Sequence, residues 1–343
     1  MMTDAAGSRT AVVLFNLGGP DSPEAVEPFL FNLFNDRAII DVPAPLRWLI
    51  AKMISKRRAP AARDIYANLG GRSPLVAQTE AQARELESLL GPGYRCFIAM
   101  RYWHPFTSET VESVKAWKAD RVILLPLYPQ FSMTTGGSSL KEWQTQAKRL
   151  RLRIPSRLSC CYPTQRHMVT ALADLVRIGY DEAKEKGTPR ILFSAHSLPK
   201  KMIDNGDPYQ AQVEQTTKAV AKAIGIPDLD WALCYQSRVG SMEWIGPSIQ
   251  SELERAGKDH VPVVVVPVAF VSEHSETLVE LDIEYRKEAE TLGIPGYVRV
   301  PALGCHPFFI KALAEVVRDP KAGSGEGGCS SLGQTCLGGD CQC

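Results

Sequence analysis

The feature that most constrains the fold is an unbroken apolar run, rich in β-branched residues, from Val263 to Val271. A run without alternating polar residues is typical of a strand that is buried on both faces of a parallel sheet. The run breaks at Ser272, and the sequence then continues with helical spacing as far as Tyr285. Because parallel strands need long crossover connections, which are usually helices, this stretch predicts an α/β fold.

Short apolar strands alternate with amphipathic helices along the rest of the chain. The strands are predicted at residues 10–17, 94–100, 121–127, 157–161, 190–194, 230–236 and 263–271. This alternation predicts a parallel, doubly wound sheet in the first half and a second run of the same kind in the second half. The segments VVLFNLGGP and ILFSAHSLP both read as strand, polar turn and proline. We interpret this similarity as weak evidence for a duplicated βα unit.

The composition is that of a soluble globular protein and argues against several functions. The chain has 39 basic and 38 acidic residues, so no nucleic-acid partner is expected. No apolar run reaches the roughly 18–20 residues that cross a bilayer, and the N-terminal sequence lacks the pattern of a signal peptide. We therefore expect a cytoplasmic protein, whose nine cysteines are thiols or metal ligands rather than disulfides.

Three polar residues follow predicted strands. His196 comes after the strand that begins at residue 190, and His274 and Glu276 come after the apolar run. The carboxyl ends of parallel strands open into one crevice, so the three side chains can converge. Two imidazoles and a carboxylate suit Fe(II), Co(II), Ni(II) or Zn(II), and a histidine also suits proton removal near neutral pH. A structural role for His196 is the alternative.

Glu276, Glu280 and Glu284 would share one stripe of an α-helix, because they are spaced i, i+4, i+8. Like charges at this spacing cost about 0.2–0.5 kcal/mol per pair, and no basic residue occurs on the stripe before Lys287. The stripe is either a solvated acidic face or a path for cations or protons. Its position just past the carboxyl end of a buried strand favours a path.

Residues 36–58, which we call the lip, form an apolar segment that ends in the basic cluster Lys56-Arg57-Arg58. Such a segment can be core followed by a surface patch. It can also hold a flat apolar ligand whose carboxylates are bound by the arginines. A third interpretation is that it rests on a membrane surface.

The last residues, 319–343, form a Gly/Ser/Cys-rich tail. Its four cysteines are Cys329, Cys336, Cys341 and Cys343. Thiolates suit a soft metal site, but this spacing matches neither zinc fingers nor ferredoxins, so a disordered tail is the alternative. Cys160 and Cys161 could add a ligand from the folded body.

Together these motifs resemble those of ferrochelatase, the family that inserts Fe(II) into a porphyrin in haem synthesis. The resemblance runs from Val12 to about Arg318 and rests on the segments LFNLGGP, FLFNLFNDR, RYWHP, YPQFS, TTGGSS, LFSAHSLP, GDPY, QSRVG, MEWIGP and FVSEHSETLVELDIEY, in this order. It implies two similar doubly wound parallel-sheet domains with a porphyrin cleft between them. We expect these domains at residues 10–165, including the lip, and 166–318.

The resemblance also implies roles for individual residues. His196 and Glu276 match the pair that is assigned to iron binding or pyrrole proton abstraction, and His274, Glu280 and Glu284 match a proton or iron path. The expected porphyrin contacts are Arg57, Arg58, Arg101, Tyr102, Ser237 and Trp244.

The cysteine-rich tail resembles the [2Fe–2S] tail of some family members. The candidate ligands are Cys161, Cys329, Cys336, Cys341 and Cys343, with Cys160 as a substitute for Cys161. Where the animal enzymes have their fourth cysteine, this chain has Met133. We therefore expect the ligand from the body to be Cys160 or Cys161.

The implied function is that of a lyase that inserts Fe(II), its substrate, into protoporphyrin IX in the terminal step of haem synthesis. Coproporphyrin is an alternative substrate. A cobalt or nickel chelatase is a second alternative, which the lip disfavours. A non-catalytic tetrapyrrole-binding protein or iron–sulfur electron carrier would need no acidic stripe behind a His/Glu pair. A peripheral contact of the lip with the inner membrane and a homodimer stay open.

Overall fold

Two four-stranded parallel sheets form the centre of the computed structural model, which describes residues 8–240 and 242–319. The first sheet contains β1 (Thr10–Asn16), β2 (Tyr94–Met100), β3 (Arg121–Pro126) and β4 (Ser156–Leu158). The second contains β5 (Arg190–His196), β6 (Trp231–Gln236), β7 (Val263–Pro267) and β8 (Tyr297–Arg299). The strand orders are β2-β1-β3-β4 and β6-β5-β7-β8, so the second half repeats the topology of the first. The predicted fold class of two doubly wound parallel sheets is confirmed.

Helices connect the strands of the first half. Between β1 and β2 lie α1 (Val26–Phe34), α2 (Ala44–Ala67) and α3 (Leu75–Leu90). The connection from β2 to β3 contains α4 (Thr107–Ala116), and the one from β3 to β4 contains a π-helix (Met133–Gly137) and α5 (Ser138–Arg149). The chain then passes through α6 (Arg166–Ala183) and a single 3₁₀ turn (Lys184–Lys186) into the second sheet.

The second half follows the same plan. Between β5 and β6 lie α7 (Lys200–Asp204) and α8 (Tyr209–Ile224), and α9 (Ile249–Asp259) lies between β6 and β7. A second π-helix (Glu276–Glu284) and α10 (Tyr285–Thr291) connect β7 to β8. The helix α11 (Pro307–Arg318) closes the described part of the chain.

The two sheets share one hydrophobic core. Val12 and Leu14 of β1 belong to the same buried cluster as Phe193 of β5 and Val264 of β7. The helix α11 packs against both α3 of the first half and α6, which joins the halves. The predicted domain boundary near residue 165 therefore separates two sheets whose surrounding helices pack against each other.

The lip consists of a short turned segment and the first part of α2. Its large apolar side chains are exposed rather than buried: Ile39, Leu46, Trp48, Leu49 and Met53 are 39–64% exposed. Only a narrow face of α2 is buried, at Ala51, Ser55, Ala59 and Tyr66. This exposure rules out the interpretation of the lip as core. Within residues 8–240 and 242–319, no helix is long and apolar enough to cross a membrane.

The apolar run ends as a strand earlier than predicted. β7 stops at Pro267, because proline has no N–H to continue the hydrogen bonds of the sheet. Residues 268–271 turn instead towards the first half, where Nε2 of Gln82 donates a hydrogen bond to the carbonyl oxygen of Val271 (2.9 Å). The prediction of a strand as far as Val271 is therefore wrong, although Val268 and Val271 are buried.

Candidate active site

His196 and Glu276 meet at the carboxyl-terminal edge of the second sheet. His196 is the last residue of β5, and Glu276 opens the π-helix that follows the neighbouring strand β7. Nδ1 of His196 lies 2.9 Å from Oε2 of Glu276. The side chains are 36% and 30% exposed, so a ligand can reach them. The structure thus brings together two of the three side chains that we expected to converge.

This contact shifts both pKa values. Burial lowers the pKa of His196, but the negative charge and the hydrogen bond of Glu276 outweigh burial and raise it above the usual value. For Glu276, burial raises the pKa, yet the charge and the hydrogen bond of His196, assisted by His274, hold it well below the usual range. The pair therefore keeps its imidazolium–carboxylate form over a wider pH range than separate groups would.

His274 lies beside the pair without joining it directly. Its Nε2 atom is 3.7 Å from Oε2 of Glu276, which is too long for a good hydrogen bond. The ring packs against Phe270, with ring centroids 4.8 Å apart. Nδ1 is buried and has no hydrogen-bond partner among the described residues. His274 thus lies next to Glu276, and its role in a path stays a prediction.

Glu280 lies behind Glu276 and is held by several donors. Its carboxylate accepts hydrogen bonds from the backbone N–H of Ser237 (2.8 Å), from Nε2 of Gln236 (3.0 Å) and from the hydroxyl of Tyr285 (3.1 Å). Burial, followed by the charge of Glu276, nevertheless raises its pKa. Glu280 can therefore take up a proton more readily than an isolated carboxylate.

The helix that carries the three glutamates differs from the prediction. Residues Glu276–Glu284 form a π-helix, with hydrogen bonds from i to i+5, so the prediction of an α-helical stripe is wrong in helix type. Glu276 and Glu280 are partly buried at the site, whereas Glu284 is exposed at the far end. Only the first two glutamates are enclosed by protein, and the third faces solvent. π-Helices are rare and frequently occur at functional sites.

Two buried tyrosines beside the pair were missed in the sequence. Tyr66, near the end of α2, is hydrogen-bonded to the side chain of Ser275, and burial raises its pKa to about 12. Tyr209, the first residue of α8, is hydrogen-bonded to the backbone of His196, and burial raises its pKa well above the usual value. Both hydroxyls therefore keep their protons. Neither tyrosine stood out in the sequence, because an aromatic residue within a helix usually belongs to the hydrophobic core. The one hint was that Tyr209 belongs to the GDPY motif.

Arg57 and Arg58 are exposed on α2, on the lip. The guanidinium group of Arg58 lies 5.6 Å from the centre of the Phe34 ring, a cation–π contact that leaves its N–H donors to other groups. Both arginines are accessible to an anionic ligand.

Arg101 and Tyr102 converge on one buried carboxylate, that of Asp36. Arg101 lies 2.9 Å from Oδ2 of Asp36 and donates to the hydroxyl of Ser138 (2.8 Å). The hydroxyl of Tyr102 donates to the same Oδ2 atom (2.8 Å). Because Tyr102 is 0% exposed, its side chain lies in the interior of the protein rather than on a surface. In this conformation it offers no ligand contact, contrary to the expectation for Tyr102.

Ser237 and Trp244 follow β6. Ser237 has a left-handed backbone (φ 62°) and uses both its N–H and its hydroxyl to hold Glu280. Trp244 is half-buried, and its indole Nε1 has no hydrogen-bond partner among the described residues. Ser237 therefore contacts the glutamate path in this structure.

Cys160 and Cys161 are buried just after β4, with exposures of 3% and 4%. The end of α11 lies close to them, because the hydroxyl of Ser159 donates to the carbonyl oxygen of Val316 (3.3 Å). The described chain therefore ends near these two thiols. The remaining candidate cluster ligands lie outside the described residues: Cys329, Cys336, Cys341 and Cys343.

Comparison with known proteins identifies the family. The sequence pattern of the family Ferrochelatase matches residues 9–321. The chain belongs to the ferrochelatase family. The ferrochelatase of Caulobacter vibrioides strain NA1000 is 53% identical over 316 residues, which are 91% of this chain and 90% of the relative. That of Pelagibacter ubique is 48% identical over 315 residues, 90% of each chain, and that of Wolbachia sp. subsp. Drosophila simulans is 50% identical over 312 residues, 90% of this chain and 98% of the relative.

A solved structure has a similar overall fold. SirB from Bacillus subtilis with Fe3+ superposes with a TM-score of 0.51 at 15% identity, over 95% of this chain and 98% of that chain. At this identity the similarity shows the fold alone. Family membership confirms the predicted resemblance and the prediction of an enzyme, and it disfavours the non-catalytic binding protein and the electron carrier.

Proposed function

We propose that the protein inserts Fe(II) into protoporphyrin IX to give protohaem, and that His196 and Glu276 meet the metal and the pyrrole protons. The observation that carries this proposal is the 2.9 Å contact between Nδ1 of His196 and Oε2 of Glu276 at an accessible sheet edge. The relatives that are 48–53% identical over about nine tenths of the chain are all named Ferrochelatase.

The charge balance of the reaction explains why an imidazole and carboxylates are needed. One Fe(II) ion replaces two pyrrole protons, so two protons must leave the site in each turnover. Neutral His196 accepts the two pyrrole protons one after the other, and each time Glu276 stabilises the imidazolium that forms. Glu280 has a raised pKa and lies next along the π-helix, so it takes the proton onward to the exposed end at Glu284.

The lip supplies the porphyrin site in this proposal. The ligand is a flat apolar macrocycle, and the exposed apolar side chains of the lip offer it a matching surface. Arg57 and Arg58 bind its propionates, and Arg101 is held in place by Asp36, with Tyr102 supporting the same carboxylate from behind. Trp244 faces the macrocycle from the second half. Binding energy from these contacts can distort the ring by about 1–5 kcal/mol, as metal entry requires.

Protoporphyrin suits this lip better than coproporphyrin does. Protoporphyrin carries two propionates and two apolar vinyl groups, whereas coproporphyrin carries four propionates. The large exposed side chains of the lip, Leu46, Trp48, Leu49 and Met53, favour the more apolar macrocycle. The same surface supports a peripheral contact of a cytoplasmic enzyme with the inner membrane, from which an apolar porphyrin can be taken up.

We also propose that the tail binds a [2Fe–2S] cluster with one ligand from the body, Cys160 or Cys161. The fit rests on the place where the described chain ends, since Val316 of α11 is hydrogen-bonded to Ser159, the neighbour of Cys160. Thiolates are the ligands that such a cluster takes. When bound, the cluster supplies a one-electron redox centre and ties the chain end to the body.

The test is metal insertion by the purified protein. Under anaerobic conditions, Fe(II) with protoporphyrin IX should give the absorption spectrum of protohaem, and Zn(II) should give fluorescent zinc protoporphyrin. Protoporphyrin and coproporphyrin should be compared by kcat/KM. A preference for coproporphyrin would overturn the substrate, and wild-type protein that metallates neither porphyrin would overturn the proposed reaction.

A further inference from the structure

Arg299, a buried arginine outside the site, binds the segment that carries Glu276 and Glu280. Arg299 is the last residue of the edge strand β8, and its side chain is only 9% exposed. Nη1 of Arg299 donates to Oε1 of Glu273 (2.8 Å), and Nε lies 3.1 Å from Oδ2 of Asp282 in an ion pair. Glu273 and Asp282 stand before and after Glu276 and Glu280 in the chain. One guanidinium group thus holds both ends of the reacting segment.

At the Glu273 end, hydrogen bonds connect the contact with Arg299 to the site. Glu273 accepts a hydrogen bond from the hydroxyl of Thr277 through Oε2 (2.5 Å) and from the backbone N–H of Ala302 through Oε1 (2.9 Å). The Thr277 hydroxyl in turn accepts from the backbone N–H of His274 (3.0 Å). The turn from Glu273 to Thr277, which contains both His274 and Glu276, is therefore fixed by the side chain that Arg299 binds.

At the second end, Asp282 is shared by two arginines. Arg286, one turn further on, lies 2.6 Å from Oδ1 of Asp282, while Arg299 faces Oδ2. Asp282 belongs to the π-helix itself, two residues beyond Glu280. The contact with Arg299 therefore ties the wide helix to the edge of the sheet.

We propose that Arg299 is a positioning residue for metal insertion, which fixes Glu276 and Glu280 relative to His196 by binding Glu273 and Asp282. Arg299 touches neither His196 nor Glu276 and acts through the segment that it holds. The inference deepens the function proposed above and rests on it. Removal of a residue that orients a metal-binding side chain typically costs about 10- to 100-fold in activity or metal affinity.

The chain offers a matched control in Arg190. This residue opens β5, at the opposite end of the strand from His196, and its side chain is 8% exposed. It also binds two carboxylates, Asp230 (2.8 Å) and Asp259 (2.9 Å). The two arginines are therefore equally buried and similarly paired in the same sheet, and only one of them grips the segment with Glu276.

The experiment compares Arg299→Lys with Arg190→Lys by zinc insertion into protoporphyrin and by thermal unfolding. Lysine keeps the charge but cannot place donors on two carboxylates in the fork geometry of arginine. Both variants should lose a similar number of degrees in Tm. For Arg299→Lys, kcat should also be about 10- to 100-fold lower and KM for zinc should be higher, whereas KM for porphyrin should not change. Arg190→Lys should keep wild-type kinetics.

A second variant tests whether Arg299 acts through its contact with Glu273. Glu273→Gln should lower kcat as Arg299→Lys does, and the double variant should be no slower than the slower single variant, because Arg299→Lys already loses the contact that Glu273→Gln weakens. Asp282→Asn, with a smaller decrease, replaces Arg299→Lys if that variant does not fold. Wild-type kcat and zinc KM in the Arg299, Glu273 and Asp282 variants would overturn the proposal. A wild-type protein without insertion activity would instead count against the proposed function.

Discussion

Replacing Glu276 with glutamine removes one charge from the centre of the site and little else. Glutamine is nearly isosteric, so packing around the π-helix is kept. A hydrogen bond to a charged group contributes about 1.5–3 kcal/mol, and the partial exposure of both side chains, 36% and 30%, places this contact at the lower end. The carboxylate serves two partners in the proposed mechanism, the imidazolium of His196 and the incoming metal. Two contacts of about 1.5 kcal/mol each correspond to a decrease in kcat of roughly 100-fold.

The pH dependence of Glu276→Gln has a defined sign. In the wild type, burial lowers the pKa of His196, and the charge of Glu276 raises it to a net value above the usual one. The substitution removes the largest raising contribution and leaves burial and the weaker effect of Glu280, so the pKa of His196 falls. A reaction that needs neutral His196 loses rate as the pH drops through this pKa. The acid limb of kcat should therefore move to lower pH in the variant, even though the maximum rate is smaller.

The assay is zinc insertion into protoporphyrin, followed by fluorescence across the neutral pH range, with Glu284→Gln as the matched control. Glu284 belongs to the same π-helix but is exposed at its end, so its substitution should lower kcat only slightly and leave the acid limb in place. Equal small losses in both variants would show that the glutamates form a solvated face. An acid limb that does not move in Glu276→Gln would refute the assignment of His196 as the proton acceptor.

Three further outcomes are expected. His196→Ala should abolish insertion while porphyrin binding and Tm stay close to wild type, and normal turnover in this variant would remove His196 from the mechanism. Arg57→Ala and Arg58→Ala should each raise KM for porphyrin with little change in kcat, since a propionate contact is made equally in ground and transition states; a pure kcat defect would contradict the clamp. Cys336→Ser should bleach the reddish colour of anaerobically purified protein, and colourless wild type from cells able to build clusters would refute the cluster.

Most of the fold could be predicted because its inner strands are continuous apolar runs. β1, β5 and β7 are almost completely buried, and this burial leaves a pattern that needs no tertiary information. β8 was missed because it has only three residues, Tyr297–Arg299, which do not alternate between buried and exposed positions. An edge strand of this length leaves no periodic signal in the sequence.

The site could be predicted in position but not in detail. His196 and Glu276 follow neighbouring strands, so topology alone brings them together. The burial of Tyr102 could not be anticipated, because its partner Asp36 is 66 residues away in the sequence. The π-helix could not be anticipated either, since its sequence fits α-helical spacing equally well, and the contacts that hold it come from Gln236 and other distant residues.

The duplicated topology places a π-helix at the same point of each half. In each half the third strand ends in proline, Pro126 in β3 and Pro267 in β7, and a short loop then leads into a π-helix. The first π-helix carries no charged residue, and at Gly136 and Gly137 a Cβ atom would come within 3.2–3.3 Å of the nearest side chains. The second carries Glu276, Glu280 and Glu284, which form the proposed path.

Each of these π-helical segments is also held by the opposite half. The backbone N–H of Met133 donates to Oδ2 of Asp207 in the second half (2.9 Å), and the backbone N–H of Glu273 donates to Oε1 of Gln78 in the first half (2.8 Å). Neither segment is therefore fixed by its own sheet alone. If the porphyrin binds between the halves as proposed, it meets an uncharged segment and an acidic segment that are each anchored to both halves.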